Sequence, residues 1–208
     1  AVAPARSDIE WVPYAMPEHT LVDGTLHLKT ADGPKPLQLV GSHNFLNLAG
    51  AMALAERWGV TPEEFTQAVA DFSGAAGRLE RRLDRTLEGG ACTVFRDFAH
   101  APSKVAATTS AIASQFADRK VVAVLELHTF SSLNPAFIPA SAGALDAADE
   151  AWVCYSPDVL AQKRLPPLDA EKVQTAFQNP SLHVTPDPAE LAEAVRDAAG
   201  PNTVFLLM

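Results

Sequence analysis

The chain has 208 residues, 48% of them apolar, and a formal net charge of −9. That length allows one large domain or two modest ones, each with its own core. The acidity leaves no basic patch for a nucleic-acid partner, and no apolar run approaches the ~20 residues that span a bilayer, so neither nucleic acid nor membrane insertion is expected. No N-terminal stretch has the basic, apolar, small-residue order of a secretion signal. The two cysteines, Cys92 and Cys154, lie in strand-like runs away from any CxxC or Cys/His cluster. Buried free thiols in a reducing cytoplasm are the expectation, and no metal ligand is singled out.

In chain order, Ile9–Val12 and Thr25–Lys29 read as short strands around the hairpin dipeptide Asp23-Gly24, and Leu37–Val40 as a third apolar run. From Asn44 the period becomes helical, with Phe45, Leu48, Ala49, Met52 and Ala53 on one face and Gly59 as the stop. Thr61-Pro62-Glu63-Glu64 predicts a second helix opened by a capping box. Ala75–Gly90 combines glycine breaks with the charges Arg78, Glu80, Arg81 and Arg82, which predicts a boundary. Beyond it strands at Thr93–Phe98, Val121–Leu127, Ala151–Tyr155, Leu182–Thr185 and Thr203–Met208 alternate with helices at Pro102–Phe116, Ala136–Ala148 and Pro188–Ala199. That alternation predicts an α/β fold with a mostly parallel, Rossmann-like sheet. Ligands of such sheets bind beyond the carboxyl ends of the strands, which points to Asp97–Ser103 and His128–Asn134.

Three motifs carry chemistry. Asn44 and Asn47 share a helix face, and an amide offers the donor and acceptor that read an adenine edge; Asn44 could equally be an N-cap. Gly74-Ala75-Ala76-Gly77-Arg78 would bring backbone and guanidinium close to phosphate, or form a glycine-rich linker beside a solvated charge run. Asp97-Phe98-Ala99-His100-Ala101-Pro102 runs from a strand end into a helix start, where a carboxylate can accept from ribose hydroxyls. The alternatives are a turn-forming Asp97 and a locally bonded His100.

In this order the three motifs resemble the Mur ligase superfamily, with its His-Asn-x-x-Asn helix, Phe-x-Gly…Arg-x-Glu segment and Asp-[Tyr/Phe]-[Ala/Gly]-His-x-Pro turn. The resemblance covers nearly the whole chain: residues 1–80 would be the end of the central ATP-binding domain and 81–208 the Rossmann-like C-terminal domain. It implies an ATP-dependent, ADP-forming ligase that activates a carboxylate of UDP-N-acetylmuramate as an acyl phosphate for attack by an amino-acid or peptide amine. By position, Asn44 and Asn47 would lie at adenine, Arg78 at phosphate, Asp97 at ribose and His100 near the amine; none is assigned a catalytic role. Asn47 and Asp97 sit at polar element ends, so neither is expected to shape the core. No Gly-x-x-x-x-Gly-Lys-[Ser/Thr] loop occurs in the 208 residues. The resemblance would place that loop, the Mg²⁺ ligands and a modified lysine before Ala1, and the chain, ending in a core strand, would be a portion of a longer protein.

The acceptor is read from Leu125-Glu126-Leu127-His128-Thr129-Phe130-Ser131-Ser132. The L-alanine-adding branch typically has Pro-His-Arg-[Tyr/Phe]-[Ser/Thr]-Arg here. Thr129 and Ser132 replace those arginines, and with Asp-Phe-Ala-His and Glu126 the resemblance leans to the branch that takes L-Ala-γ-D-Glu-meso-diaminopimelate. The alternative is the L-alanine branch. A folylpolyglutamate or cyanophycin synthetase-like ligase and a non-catalytic binding module stay open beyond it. His128 and Thr129 are thus expected to touch substrate, or else to cap a strand end.

Overall fold

Asp23 and Gly24, at φ 48° and 71°, form the two-residue loop between β1 (His19–Val22) and β2 (Thr25–Thr30), with Val22 opposite Thr25. Positive φ at both positions suits the twist of a hairpin, and glycine takes it at no steric cost. The computed structural model describes residues 8–208. The expected strand at Ile9–Val12 is not one: Ile9 and Trp11 are exposed and unpaired in any ladder. The hairpin pairs β2 with the segment next to its turn, His19–Val22, rather than with the earlier one. β3 (Gly33–Leu37) pairs antiparallel with β2. Its prolines, Pro34 and Pro36, are tolerated because β3 is an edge strand.

The chain divides into two units, Ala1–Ser73 and Gly74–Met208. In the first, α1 (Ser42–Arg57) and α2 (Pro62–Val69) follow the sheet. The predicted face of α1 buries Phe45, Leu48 and Ala49, and Phe45 and Leu48 pack with Leu26, Leu28, Leu37 and Leu39. Helix α2 has the predicted capping box: the Glu64 N–H donates to Thr61 Oγ1 at 3.2 Å, and the Thr61 N–H to Glu64 Oε2 at 2.9 Å.

The second unit is a six-stranded sheet in the order β4-β5-β9-β6-β7-β8. β4 (Glu80–Leu87) is antiparallel to β5 (Gly90–Arg96). The parallel strands are β5, β6 (Lys120–Leu127), β7 (Glu150–Tyr155), β8 (Leu182–Thr185) and β9 (Thr203–Leu207). β4 lies where the sequence reads as a charged boundary. As an edge strand it leaves almost every side chain in solvent, so no apolar alternation marks it. β6 is buried on both faces. Ala123, Leu125 and Leu127 pack with Leu133, Leu145, Val173 and Phe177, and Val122 joins Cys92 and Phe205 on the other side.

Helix α3 (Pro102–Gln115) carries proline at its first position, and α6 (Pro188–Ala198) is capped by Asp187. α4 (Pro157–Gln162) and α5 (Ala170–Phe177) lie in a stretch to which the sequence assigned no element. The helix expected at Ala136–Ala148 is a short 3-10 turn, Ile138–Ser141, followed by further turns. Pro135, Pro139 and Gly143 prevent a continuous ladder. Ile138, Ala144 and Leu145 are nonetheless buried, which explains the helix-like apolar spacing.

Candidate functional site

Strands β5, β9 and β6 end side by side, and the residues that follow them form the site. The Asp97 N–H donates to Leu207 O at 2.9 Å, carrying the β5–β9 pairing one residue past the strand. The Asp97 side chain is 8% exposed and accepts the Thr108 hydroxyl of α3 at 3.2 Å. It is therefore a buried group, contrary to its expected place at a polar end. One hydroxyl partner among the described residues leaves this carboxylate acceptor capacity for a further donor.

His100 and His128 follow β5 and β6 in matching ways. Each Nδ1 lies 3.1 Å from the carbonyl two residues earlier, Phe98 O and Glu126 O respectively. A carbonyl only accepts, so Nδ1 is the donor in both, and in the neutral imidazole that tautomer leaves the lone pair on Nε2. Phe98, 51% exposed, packs against both, its ring centre 5.0 Å from His100 and 5.7 Å from His128; the two imidazoles are 6.5 Å apart, so the three rings form a triangle. The sequence did not single out Phe98, because an aromatic at a strand end ordinarily reads as core.

Arg78 joins this cluster through the backbone. Phe98 N–H donates to Gly77 O at 3.0 Å, so the segment before Arg78 runs beside the Asp97 turn. Leu79 is buried at φ 45°, a left-handed conformation that costs a leucine about 1–2 kcal/mol. With Leu79 held inside, Arg78 is exposed and has no ion-pair partner among the described residues. Glu80 closes the turn by accepting from Arg82 at 2.7 Å and from the Gly77 N–H at 3.1 Å. Those bonds, the Arg82 one foremost, hold its carboxyl below the usual carboxylate range.

Thr129 is engaged within its own turn. Its hydroxyl donates to Ser132 Oγ at 2.8 Å and accepts the Ser132 N–H at 3.0 Å, and its N–H donates to Ser132 Oγ at 3.0 Å. In the first unit, Asn44 Nδ2 donates to Val40 O at 2.8 Å; it is not the N-cap, which is Gly41. Asn47 is exposed, and its amide has no hydrogen-bond partner among the described residues. Burial pushes the Cys154 thiol up to about 11, so it stays protonated at neutral pH and is no nucleophile. Among the described residues no three His, Cys, Asp or Glu side chains gather as a metal site, and no helix is long and apolar enough to cross a membrane.

A mostly parallel sheet with helices between its strands, whose carboxyl ends carry a buried Asp97, two imidazoles and an exposed guanidinium, defines an α/β domain of the kind whose ligands bind at those ends. The chain belongs to the Mur ligase family: residues 77–208 match the Mur ligase, glutamate ligase domain. It is 41% identical over 117 residues to UDP-N-acetylmuramate–L-alanine ligase of Arthrobacter sp. (strain FB24), covering 56% of this chain and 24% of that one. It is 30% identical over 177 residues to the enzyme of that name from Chlorobaculum parvum (strain DSM 263 / NCIMB 8327), covering 83% of this chain and 36% of that one. The fold superposes on UDP-N-acetylmuramate-alanine ligase from Thermotoga maritima with a TM-score of 0.68 at 19% identity, over 93% of this chain and 41% of that one. The chain thus spans about a quarter to two fifths of the length of these proteins.

Proposed function

We propose that the chain is part of an ATP-dependent ligase that joins an amine to the carboxylate of UDP-N-acetylmuramate in peptidoglycan synthesis, with L-alanine as the acceptor. The acceptor rests on one observation: its relatives, up to 41% identical, carry the name UDP-N-acetylmuramate–L-alanine ligase. That shifts the reading from the tripeptide acceptor to what was its alternative. ATP would activate the carboxylate as an acyl phosphate, which the amine attacks with loss of phosphate. On this reading residues 1–80 end the central ATP-binding domain and 81–208 form the C-terminal domain.

The residues suit those tasks. Arg78 offers a free guanidinium to phosphate. Asp97 retains acceptor sites for ribose hydroxyls. Asn47 offers an uncommitted amide to adenine, whereas Asn44 has already committed a donor to Val40. In their neutral form His100 and His128 present Nε2 lone pairs that can hold the acceptor's ammonium and take its proton as it becomes a nucleophile. Thr129 would contribute through the shape of its turn, since its hydroxyl is already bonded. Mg²⁺ would neutralise the phosphates, and no residue described here is assigned to it.

A second reading, with L-Ala-γ-D-Glu-meso-diaminopimelate as acceptor, is favoured by the neutral Thr129–Ser132 turn, which leaves room and no fixed fork for a small carboxylate. A competition between the two amines under limiting UDP-N-acetylmuramate, in an intact ligase carrying this chain, decides between them. The expected outcome is a higher kcat/KM for L-alanine; a clear preference for the tripeptide overturns it.

A further inference from the structure

The turn after β6 holds His128 but presents only uncharged neighbours: Thr129, Phe130, Ser131 and Ser132. An amino-acid acceptor reacts through its amine and keeps a charged carboxylate, which must be matched by a cation near the same place. The structure supplies one from elsewhere in the chain. Lys163 closes the C-terminal end of α4, and its Nζ stands 4.2 Å above the centre of the Phe130 ring. Phe130 is 63% exposed, so this contact lies at the open surface of the turn.

Two features make Lys163 available to a ligand. Its side chain is half-buried, and among the described residues no carboxylate pairs with it. A cation on an aromatic face keeps donors free to bond an anion. Its backbone is also fixed: α4 starts at the Ser156 cap, whose Oγ accepts the Val159 N–H, and is anchored by buried Leu160. The Lys163 N–H then donates to Val159 O at 3.0 Å. The ammonium is thus held over the turn by a short, anchored helix.

We propose that Lys163 binds the carboxylate of the amine acceptor, with Phe130, two residues after His128 in the same turn, as the platform for its ammonium. This rests on the acceptor reading above. The test uses an intact ligase carrying this chain, with Lys163→Met and Lys163→Arg, and L-alanine against L-alaninamide, which lacks the charge. Lys163→Met should raise KM for L-alanine about tenfold or more, with KM for ATP and UDP-N-acetylmuramate within about twofold. It should also abolish the preference of the wild type for L-alanine over L-alaninamide, and Lys163→Arg should restore most of both. An unchanged KM for L-alanine, or an equal loss with both amines, overturns the assignment of Lys163 alone. Absence of wild-type turnover with L-alanine overturns the acceptor reading, and this assignment with it.

Discussion

Asp97 combines a place in the fold with the proposed role at the nucleotide. Its side chain is buried and bonded to Thr108, so Asp97→Ala would remove the proposed nucleotide contact and strand a buried hydroxyl at once. Asp97→Asn keeps an acceptor for Thr108 while removing the charge. In an intact ligase, Asp97→Ala should lower both melting temperature and kcat/KM for ATP. Asp97→Asn should lower mainly the kinetics. Asn47→Ala, at an exposed amide without a partner, should cost about tenfold in kcat/KM for ATP and leave the melting temperature unmoved. Thermal melting beside steady-state kinetics checks all three. A melting change without a kinetic one for Asn47 removes it from the site.

Among the elements, the start of β5 is tightly constrained by geometry. Gly90 has φ 148°, and a Cβ there would lie 2.1 Å from Asn202 Oδ1. Asn202 cannot yield freely, because its Nδ2 donates to Gly89 O at 3.1 Å across from the first residue of β9. Gly90→Ala should therefore destabilise the second unit by about 1–3 kcal/mol, combining backbone strain with loss of that bond. Denaturant unfolding of Gly90→Ala, Asn202→Ala and the double variant separates the terms. Gly90→Ala should cost less in the Asn202→Ala background, where the clash is gone and only the strain remains. Equal costs in both backgrounds would show that Asn202 does not oppose a side chain at Gly90.

At the scale of the whole molecule, the 208 residues contain no Gly-x-x-x-x-Gly-Lys-[Ser/Thr] loop. Backbone N–H groups of such a loop cradle nucleotide phosphates, and a single exposed Arg78 does not replace them. The purified 208-residue chain should fold without releasing phosphate from ATP, whether or not UDP-N-acetylmuramate and L-alanine are present. A phosphate-release assay checks this; substrate-dependent release would place the chemistry within these residues.

What the sequence determined by itself follows from local rules. The capping box at Thr61, the hairpin at Asp23-Gly24 and the doubly buried strand at Val121–Leu127 each depend on neighbours a few residues away. The order of three short motifs was enough to indicate the family, which the match over residues 77–208 shows. The tertiary structure alone decided what depends on distant partners. β4 is a strand because β5 pairs with it, although its charged side chains carry no strand pattern. Ile9–Val12 has strand-like residues but no partner, and Ala136–Ala148 has helical apolar spacing that prolines and a glycine break into turns. The site divides in the same way. Arg78, Asp97, His100 and His128 stand out by residue type and by position at element ends. The contact of Phe98 with His128, and of Lys163 with Phe130, comes from packing across the sheet, where separation along the chain says nothing about separation in space.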